Sequence, residues 1–235
     1  MKIKWIYQVL ILTFLLVTST IKAQTYTLKF KTNYGKFEAV LYEFTPNHRD
    51  LILKEINKGT YKNAEFNRVI KDFVIQGGEL DEPILEREAK NPEIKPFRLA
   101  PEFNPKAFHK MGALGAGRDN NPVKGSYNNQ IYFVVGKKIT AKELDDLETK
   151  KGIKFTQEQR KEYLQNGGQP RLDHDFTVFG EITKGLKVAI KISEVGTNNK
   201  DYPEKPVIFS IKVKRKKEIK NYNRMSVSFG AGFTH

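Results

Sequence analysis

The chain contains no cysteine, so neither a disulfide nor a thiolate metal site can form, and its stability must come from its core. Its four histidines, His48, His109, His174 and His235, are scattered and never fall at metal-ligand spacing such as H-x-x-x-H. We therefore predict no metal. The 39% share of hydrophobic residues and the 17 glycines are typical of a globular protein with many turns, and we expect one domain with short appendages.

The N-terminal apolar run is too short for a membrane span. It extends from Trp5 to Val17, whereas a spanning helix needs roughly 20 residues. Lysines precede it, and a polar stretch that ends in the small residue Ala23 follows it. This pattern is typical of a signal peptide in residues 1–23, cut after Ala23, and an uncleaved anchor helix is the alternative. We expect a periplasmic or secreted protein.

Acidic residues are too few to balance the basic ones, and the formal net charge is +14. Much of this excess lies in the predicted signal peptide and in a basic C-terminal tail, residues 214–235, which begins with KRKKEIK. The rest is ordinary surface charge, so we expect no nucleic-acid partner. The tail is either a frayed terminus or a contact site, for a partner or, weakly, for anionic surfaces such as a membrane.

Short alternating runs dominate the rest of the chain. Thr25–Lys31 and Lys36–Glu43 alternate apolar and polar residues, which predicts a β-hairpin. Thr45 as N-cap and Pro46 at the first helical position predict an amphipathic helix that ends at Gly59. The further predicted strands are Phe66–Ile75, Met111–Leu114, Ile131–Val135, Thr177–Ile182 and Pro206–Val213. Many short strands with an early helix indicate a mainly β fold, a barrel.

Residues 137–168 have a helical pattern that differs from the strand pattern of the rest of the chain. Thr140-x-x-Glu143 and Thr156-x-x-Gln159 are both capping-box patterns, which predict two short surface helices. Their few apolar residues suffice to dock one face but not to form an independent core. We interpret the region as a helical insertion into one domain, residues 24–213.

Four strings, taken in order, resemble the cyclophilin family of prolyl isomerases. They are FNRVIKDFVIQGGEL from Phe66, MGALGAGRDNNP from Met111, NNQIYFVVG from Asn128 and LDHDFTVFGEITKGLKVAIKI from Leu172. The resemblance covers roughly Tyr26 to Val213. It implies a closed eight-stranded antiparallel barrel capped by two helices, the second after Gly185, with an outer groove that binds proline-containing polypeptides. It also implies a monomer without a cofactor.

The resemblance assigns site residues position by position. Arg68 corresponds to the catalytic arginine. The residues that bind substrate in this comparison are Phe73, Val74, Gln76, Gly117, Arg118, Gln130, Tyr132, Leu172 and Phe176. The chain departs from the usual family pattern at Val74, Arg118, Ile131, Tyr132 and Phe176, and Arg171 lies where some members carry a groove tryptophan.

Several of these residues also have ordinary structural interpretations. A lone arginine in a strand is usually a solvated surface group, and Phe73 and Val74 are typical core residues. Gln130 and Tyr132 share one face of their strand, which is either the groove or the solvent side. The pair Gly77 and Gly78 suits a bulge or tight bend, and Asp173 with His174 suits a turn before the Thr177 strand.

The chemistry of an X-Pro bond suits this set of residues. Rotation about the amide is slow because its double-bond character imposes a barrier of about 18–20 kcal/mol. In the twisted state the proline nitrogen gains a lone pair, to which a guanidinium can donate. We therefore predict an isomerase that assists folding of exported proteins. The alternative is a non-catalytic polypeptide-binding module or chaperone that uses the same groove, and nucleic-acid binding ranks last.

Overall fold

The computed structural model describes residues 26–215, so the predicted signal peptide and all of the tail beyond Arg215 lie outside the described residues. This part of the chain forms nine strands and five α-helices. The strands are β1 Tyr26–Thr32, β2 Gly35–Leu41, β3 Ala64–Glu65, β4 Arg68–Ile70, β5 Val74–Gly77, β6 Ala113–Ala116, β7 Ile131–Val134, β8 Val178–Lys184 and β9 Ile208–Arg215. The helices are α1 Pro46–Lys58, α2 Asp81–Lys90, α3 Ala141–Lys151, α4 Gln157–Asn166 and α5 Leu186–Ser193, and a 3₁₀ turn covers Pro170–Leu172.

All nine strands belong to one antiparallel sheet with the order β3-β9-β1-β2-β8-β6-β7-β5-β4. The mainly β prediction is therefore confirmed, but the closed eight-stranded barrel is not. Across residues 26–215, the two edge strands β3 and β4 share no ladder of hydrogen bonds. They are joined instead by the chain itself at Phe66 and Asn67. The sheet curls so that its edges approach without closing.

The core lies inside the curled sheet. Because strand side chains alternate between two faces, β1 and β2 send Leu28, Phe30, Phe37 and Ala39 inward. The Phe30 and Phe37 rings stack with centroids 4.5 Å apart, and Phe133 meets both edge-on at 5.1 Å. These buried aromatic pairs account for much of the specific packing, since each adds about 0.5–1.5 kcal/mol to the burial of its area.

The predicted helices form, with one difference at their ends. The α1 helix begins after Thr45, but the Thr45 hydroxyl donates to the Tyr42 carbonyl and does not cap the helix. The Glu102 carboxylate accepts the first helical N–H groups instead, at 3.0 Å from Asn47 N and 2.8 Å from His48 N. A side chain 54 residues away leaves no local signal. Both capping boxes of α3 and α4 are complete, as expected.

One further prediction was wrong in detail, and one helix was missed. The run Phe66–Ile75 is not one strand, because Asp72 adopts a positive φ of 58° and turns the chain between β4 and β5. The helix α2 was not predicted, since Leu80 at its N-cap provides no side-chain cap and Pro83 lies within its first turn. Within residues 26–215, none of the helices is long and apolar enough to cross a membrane.

Candidate active site

Strand parity separates the core from the site. In β4 and β5, Val69 and Ile75 face the core, so Arg68, Val74 and Gln76 face outward. Registration across the sheet then pairs Arg68 with Gln76, Gln76 with Tyr132, and Tyr132 with Gly115. These residues form one row across β4, β5, β7 and β6. With strands about 4.8 Å apart, Arg68 and Tyr132 lie about 10 Å apart across the row.

The β4–β5 hairpin forms one side of a groove, which we call the hairpin wall: Arg68, Phe73, Val74 and Gln76. The Arg68 side chain is 35% exposed. Its Nη1 lies 3.5 Å from Gln76 Oε1, and its Nε lies 3.6 Å from Asp201 Oδ2. These contacts orient the guanidinium along the groove, while their length leaves most of its five N–H donors available.

The side that faces it, which we call the opposite wall, comprises Gly117, Arg118, Gln130, Tyr132, Leu172 and Phe176. Gln130 is buried and donates through Nε2 to Asp81 Oδ1 at 2.7 Å and to the Glu79 carbonyl at 3.0 Å. A Cβ at Gly117 would overlap the Gln130 side chain, so the absence of a side chain at Gly117 leaves room for the Gln130 amide.

Two arginines cover aromatic rings beside the groove. Arg118 lies 4.7 Å from the Phe176 ring centroid and donates through Nε to the Asp175 carbonyl at 2.6 Å. Arg171 lies 4.1 Å from the Phe73 ring centroid. Cation–π contacts of this kind contribute about 0.5–2 kcal/mol and hold the rings in fixed orientations.

All ten residues assigned by the resemblance line a single cavity of about 570 Å³. The structure thus brings together Arg68, Phe73, Val74, Gln76, Gly117, Arg118, Gln130, Tyr132, Leu172 and Phe176. Gln130 and Tyr132 line the groove rather than facing solvent, and both are 3% exposed. The role of each residue in catalysis or binding stays a prediction.

Sequence reasoning missed five residues of the same cavity, namely Leu80, Asp81, Glu82, Lys200 and Tyr202. The first three lie where α2 begins. The other two lie in a turn closed by hydrogen bonds from Asp201 N to the Asn198 carbonyl and from Asn198 N to the Tyr202 carbonyl. The turn-forming residues before Pro203 predict that this loop exists. They do not predict that the loop lies beside Arg68.

Apolar contact forms the floor of the groove. Val74, Tyr132, Leu172 and Val178 belong to one buried cluster against which Phe73 and Phe176 pack. Burial raises the pKa of the Tyr132 phenol well above its ordinary value, and the nearby Asp173 carboxylate acts in the same direction. Tyr132 is therefore a neutral hydroxyl at physiological pH. Within the described chain, no group of histidine, aspartate and glutamate side chains could hold a metal ion.

This arrangement pairs a seat for an apolar ring with a fixed cationic donor at its rim. It suits a ligand that combines an apolar ring with a hydrogen-bond acceptor. Residues 27–213 match the family described as cyclophilin type peptidyl-prolyl cis-trans isomerase/CLD. The chain belongs to the cyclophilin-type peptidyl-prolyl cis-trans isomerases.

Curated relatives carry the same enzyme name. A Staphylococcus haemolyticus protein named as a peptidyl-prolyl cis-trans isomerase is 29% identical over 178 residues, which cover 75% of this chain and 85% of the relative. A Staphylococcus aureus protein of the same name gives the same identity and coverage. A Streptococcus pyogenes protein named as a bifunctional phosphatase/peptidyl-prolyl cis-trans isomerase is 29% identical over 183 residues, 76% of this chain and 36% of that protein.

Solved structures agree on the fold. A cyclophilin type peptidyl-prolyl cis-trans isomerase of Cryptosporidium parvum superimposes with a TM-score of 0.54 at 17% identity, covering 80% of this chain and 98% of that one. A second structure of that protein, in the presence of the dipeptide Ala-Pro, gives a TM-score of 0.53 at 17% identity, with coverage of 79% and 98%.

Proposed function

We propose that this isomerase acts on proline-containing segments of exported proteins, with Arg68 as the catalytic residue that donates to the proline nitrogen in the twisted state. The observation that carries the proposal is the position of Arg68. Its guanidinium stands at the rim of an apolar seat, held by long contacts to Gln76 and Asp201.

The hydrogen bond stabilises the transition state more than the ground state. A planar amide nitrogen shares its lone pair with the carbonyl and accepts poorly, whereas the twisted nitrogen is pyramidal and accepts well. Only an interaction that is stronger in the transition state accelerates the step. One such donor, fixed in advance, contributes about 3–4 kcal/mol.

Arginine suits this role better than lysine. The guanidinium stays protonated at any working pH and presents a rigid fork of donors, whereas an ammonium is a mobile and strongly hydrated charge. The fork lets Arg68 keep its contacts to Gln76 and Asp201 while other N–H groups reach the substrate.

The remaining groove residues hold the peptide on one side of the rotating bond. Phe73, Val74, Leu172 and Phe176 seat the pyrrolidine ring by apolar contact. Gln76 and the backbone near Gly117 position the chain. A peptide held at one side and free to turn at the other passes over the barrier without any acid or base.

Arg68→Ala tests the catalytic role. We expect kcat/KM for cis/trans exchange in a proline peptide to fall about 10²- to 10³-fold, with peptide affinity changed far less. Arg68→Lys should recover little activity. The matched control is Arg49→Ala, which removes an arginine of α1 paired with Glu43 and Asp50, outside the groove, and should leave exchange unchanged.

Equal and negligible exchange in the wild type and Arg68→Ala would contradict the proposal. If both proteins still bind the peptide, the groove serves a non-catalytic binding module or chaperone. The export part of the proposal is separate. It predicts that the mature protein isolated outside the cytoplasm begins at Gln24, which N-terminal sequencing would check.

A further inference from the structure

A chain of buried hydrogen bonds runs from the groove to the helical insertion. Tyr132 Oη lies 2.7 Å from His109 Nε2, His109 Nδ1 lies 2.6 Å from Asp173 Oδ1, and Tyr163 Oη lies 2.6 Å from Asp173 Oδ2. All four side chains are at least nine-tenths buried. Tyr132 is in the opposite wall, whereas Tyr163 is in α4 of the insertion. We call these four residues the buried polar chain.

The direction of each hydrogen bond follows from the chemistry of its partners. A carboxylate only accepts, so the Asp173 contact selects the neutral tautomer of His109 with its proton on Nδ1, and in that tautomer Nε2 is an acceptor. Burial raises the pKa of both Tyr132 and Tyr163 well above ordinary values, so both phenols keep their protons and donate. Tyr132 therefore donates to His109, and Tyr163 donates to Asp173. Every polar hydrogen of the buried polar chain has an acceptor.

This network fixes the ring that forms the groove floor. The His109 and Tyr132 rings lie nearly parallel with centroids 6.0 Å apart, and Phe176 meets Tyr132 edge-on at 6.1 Å. Across the sheet, Gly115 leaves the space that the Tyr132 ring occupies, because a Cβ there would overlap the ring. A phenol beneath an apolar seat needs a buried partner, and His109 supplies it on the side away from the substrate.

The insertion holds this arrangement from an apolar cluster that it shares with Phe108. Tyr163 packs edge-on against Phe108 at 5.5 Å and Phe155 at 5.7 Å. Asp173 also accepts the backbone N–H of His109 at 2.9 Å, which ties both segments to α4. Asp173 is thus a buried anchor at 4% exposure and not simply part of a turn.

A second contact from the insertion reaches the same wall independently. Lys151 of α3 donates through Nζ to the Arg171 carbonyl at 2.8 Å, to the Asp173 carbonyl at 2.5 Å and to Asp175 Oδ2 at 2.7 Å. These acceptors flank Leu172 and precede Phe176, both of which line the groove. The insertion therefore supports the floor of the groove at Tyr132 through Tyr163 and at Leu172 through Lys151.

We propose that the insertion positions the proline seat, and that His109, Asp173 and Tyr163 are positioning residues that act on substrate through Tyr132. This inference rests on the proposed function, since it assigns the seat to proline. It predicts that removal of the Tyr163 hydroxyl, which lies in the insertion and outside the groove, weakens proline binding in the groove. A residue that only stabilised the insertion would have no such selective effect.

The test is a double-mutant cycle on Tyr132→Phe and Tyr163→Phe, because each removes one hydroxyl and keeps its ring. We expect each single variant to lose about three- to tenfold in kcat/KM for a proline peptide, mainly through KM. The kcat/KM of the double variant should be close to that of the less active single variant, because both changes disrupt the same hydrogen-bond network. The matched control is Leu147→Ala, which removes apolar packing from the insertion cluster and leaves every hydrogen bond of the buried polar chain in place.

Measurements are made well below the melting temperature of every variant, so that unfolding does not enter. If Tyr163→Phe equals the wild type or Leu147→Ala, or if the two losses multiply, the positioning role is overturned. An active wild type with an unaffected Tyr163→Phe overturns this inference alone. A wild type without exchange activity overturns the proposed function and this inference with it.

Discussion

The hairpin wall is held mainly by backbone hydrogen bonds, whereas the opposite wall also depends on side chains from distant segments. Arg68, Val74 and Gln76 lie on strands whose hydrogen-bond ladder fixes their spacing. On the other side, Gln130 depends on Asp81, and the segment around Leu172 depends on Lys151. One groove therefore combines a wall whose geometry rests on backbone with a wall whose geometry also rests on remote side chains.

The difference follows from the cost of an unpaired polar group. A ladder hydrogen bond survives most substitutions, because every residue except proline supplies the same N–H and C=O groups. Loss of one partner of a buried side-chain hydrogen bond leaves the other unsatisfied, at a cost of about 1–3 kcal/mol. We expect substitutions remote from the substrate to act on the groove mainly through the opposite wall.

The largest effect on stability should come from Gly115→Ala, because Gly115 pairs with Tyr132 on the neighbouring strand. The added Cβ overlaps the Tyr132 ring, so the ring must move and lose its bond to His109. Overpacking of this kind costs about 1–3 kcal/mol, and we expect thermal unfolding to show it together with weakened peptide binding.

A second substitution identifies the cause. Tyr132→Leu should cost less stability in the Gly115→Ala background than in the wild type, because the smaller side chain leaves room for the new Cβ. Strictly additive costs would show that Gly115 acts through its backbone and not through the ring.

The hairpin wall was open to prediction from the sequence because its information is local. The alternation of Val69 and Ile75 with Arg68, Val74 and Gln76 identifies the outward face once the core is assigned. The turn at Asp72 was missed, although aspartate tolerates positive φ. The family resemblance assigned these side chains to the groove, whereas the local pattern missed the exact bounds of their strands.

The supports of the opposite wall were not open to prediction in this way. Asp173 lies 64 residues from His109, and Glu102 caps a helix 54 residues before it. Such pairs form only after the fold brings distant segments together, so nothing in the sequence near Asp173 distinguishes a buried anchor from a turn. The family resemblance assigned Tyr132 to the groove, but did not indicate the hydroxyl network beneath it.

An intermediate effect is expected for Lys151→Met. Lys151 is 18% exposed and its ammonium holds three acceptors of the segment that carries Leu172, so its loss should destabilise the fold by about 1 kcal/mol and raise KM more than it changes kcat. The matched control is Lys142→Met in the same helix, whose side chain is 84% exposed and pairs with Asp146 at the surface. Equal KM values for the two variants would refute a role of α3 in the opposite wall.

The smallest expected effect is a pH dependence of stability. We expect the opposite wall to lose stability in acid before the hairpin wall does. A hydrogen bond from Lys154, together with those from Phe155 N and Arg160, lowers the pKa of Glu148 in the insertion from 4.5 to about 2. A depressed folded-state pKa contributes stability above pH 4.5 that is lost as the pH falls toward 2. The difference in unfolding free energy between the wild type and Glu148→Gln should therefore shrink across this window, and amide exchange should rise near Leu172 before it rises near Val74. A difference that stays constant with pH would show that ionised Glu148 does not stabilise the insertion.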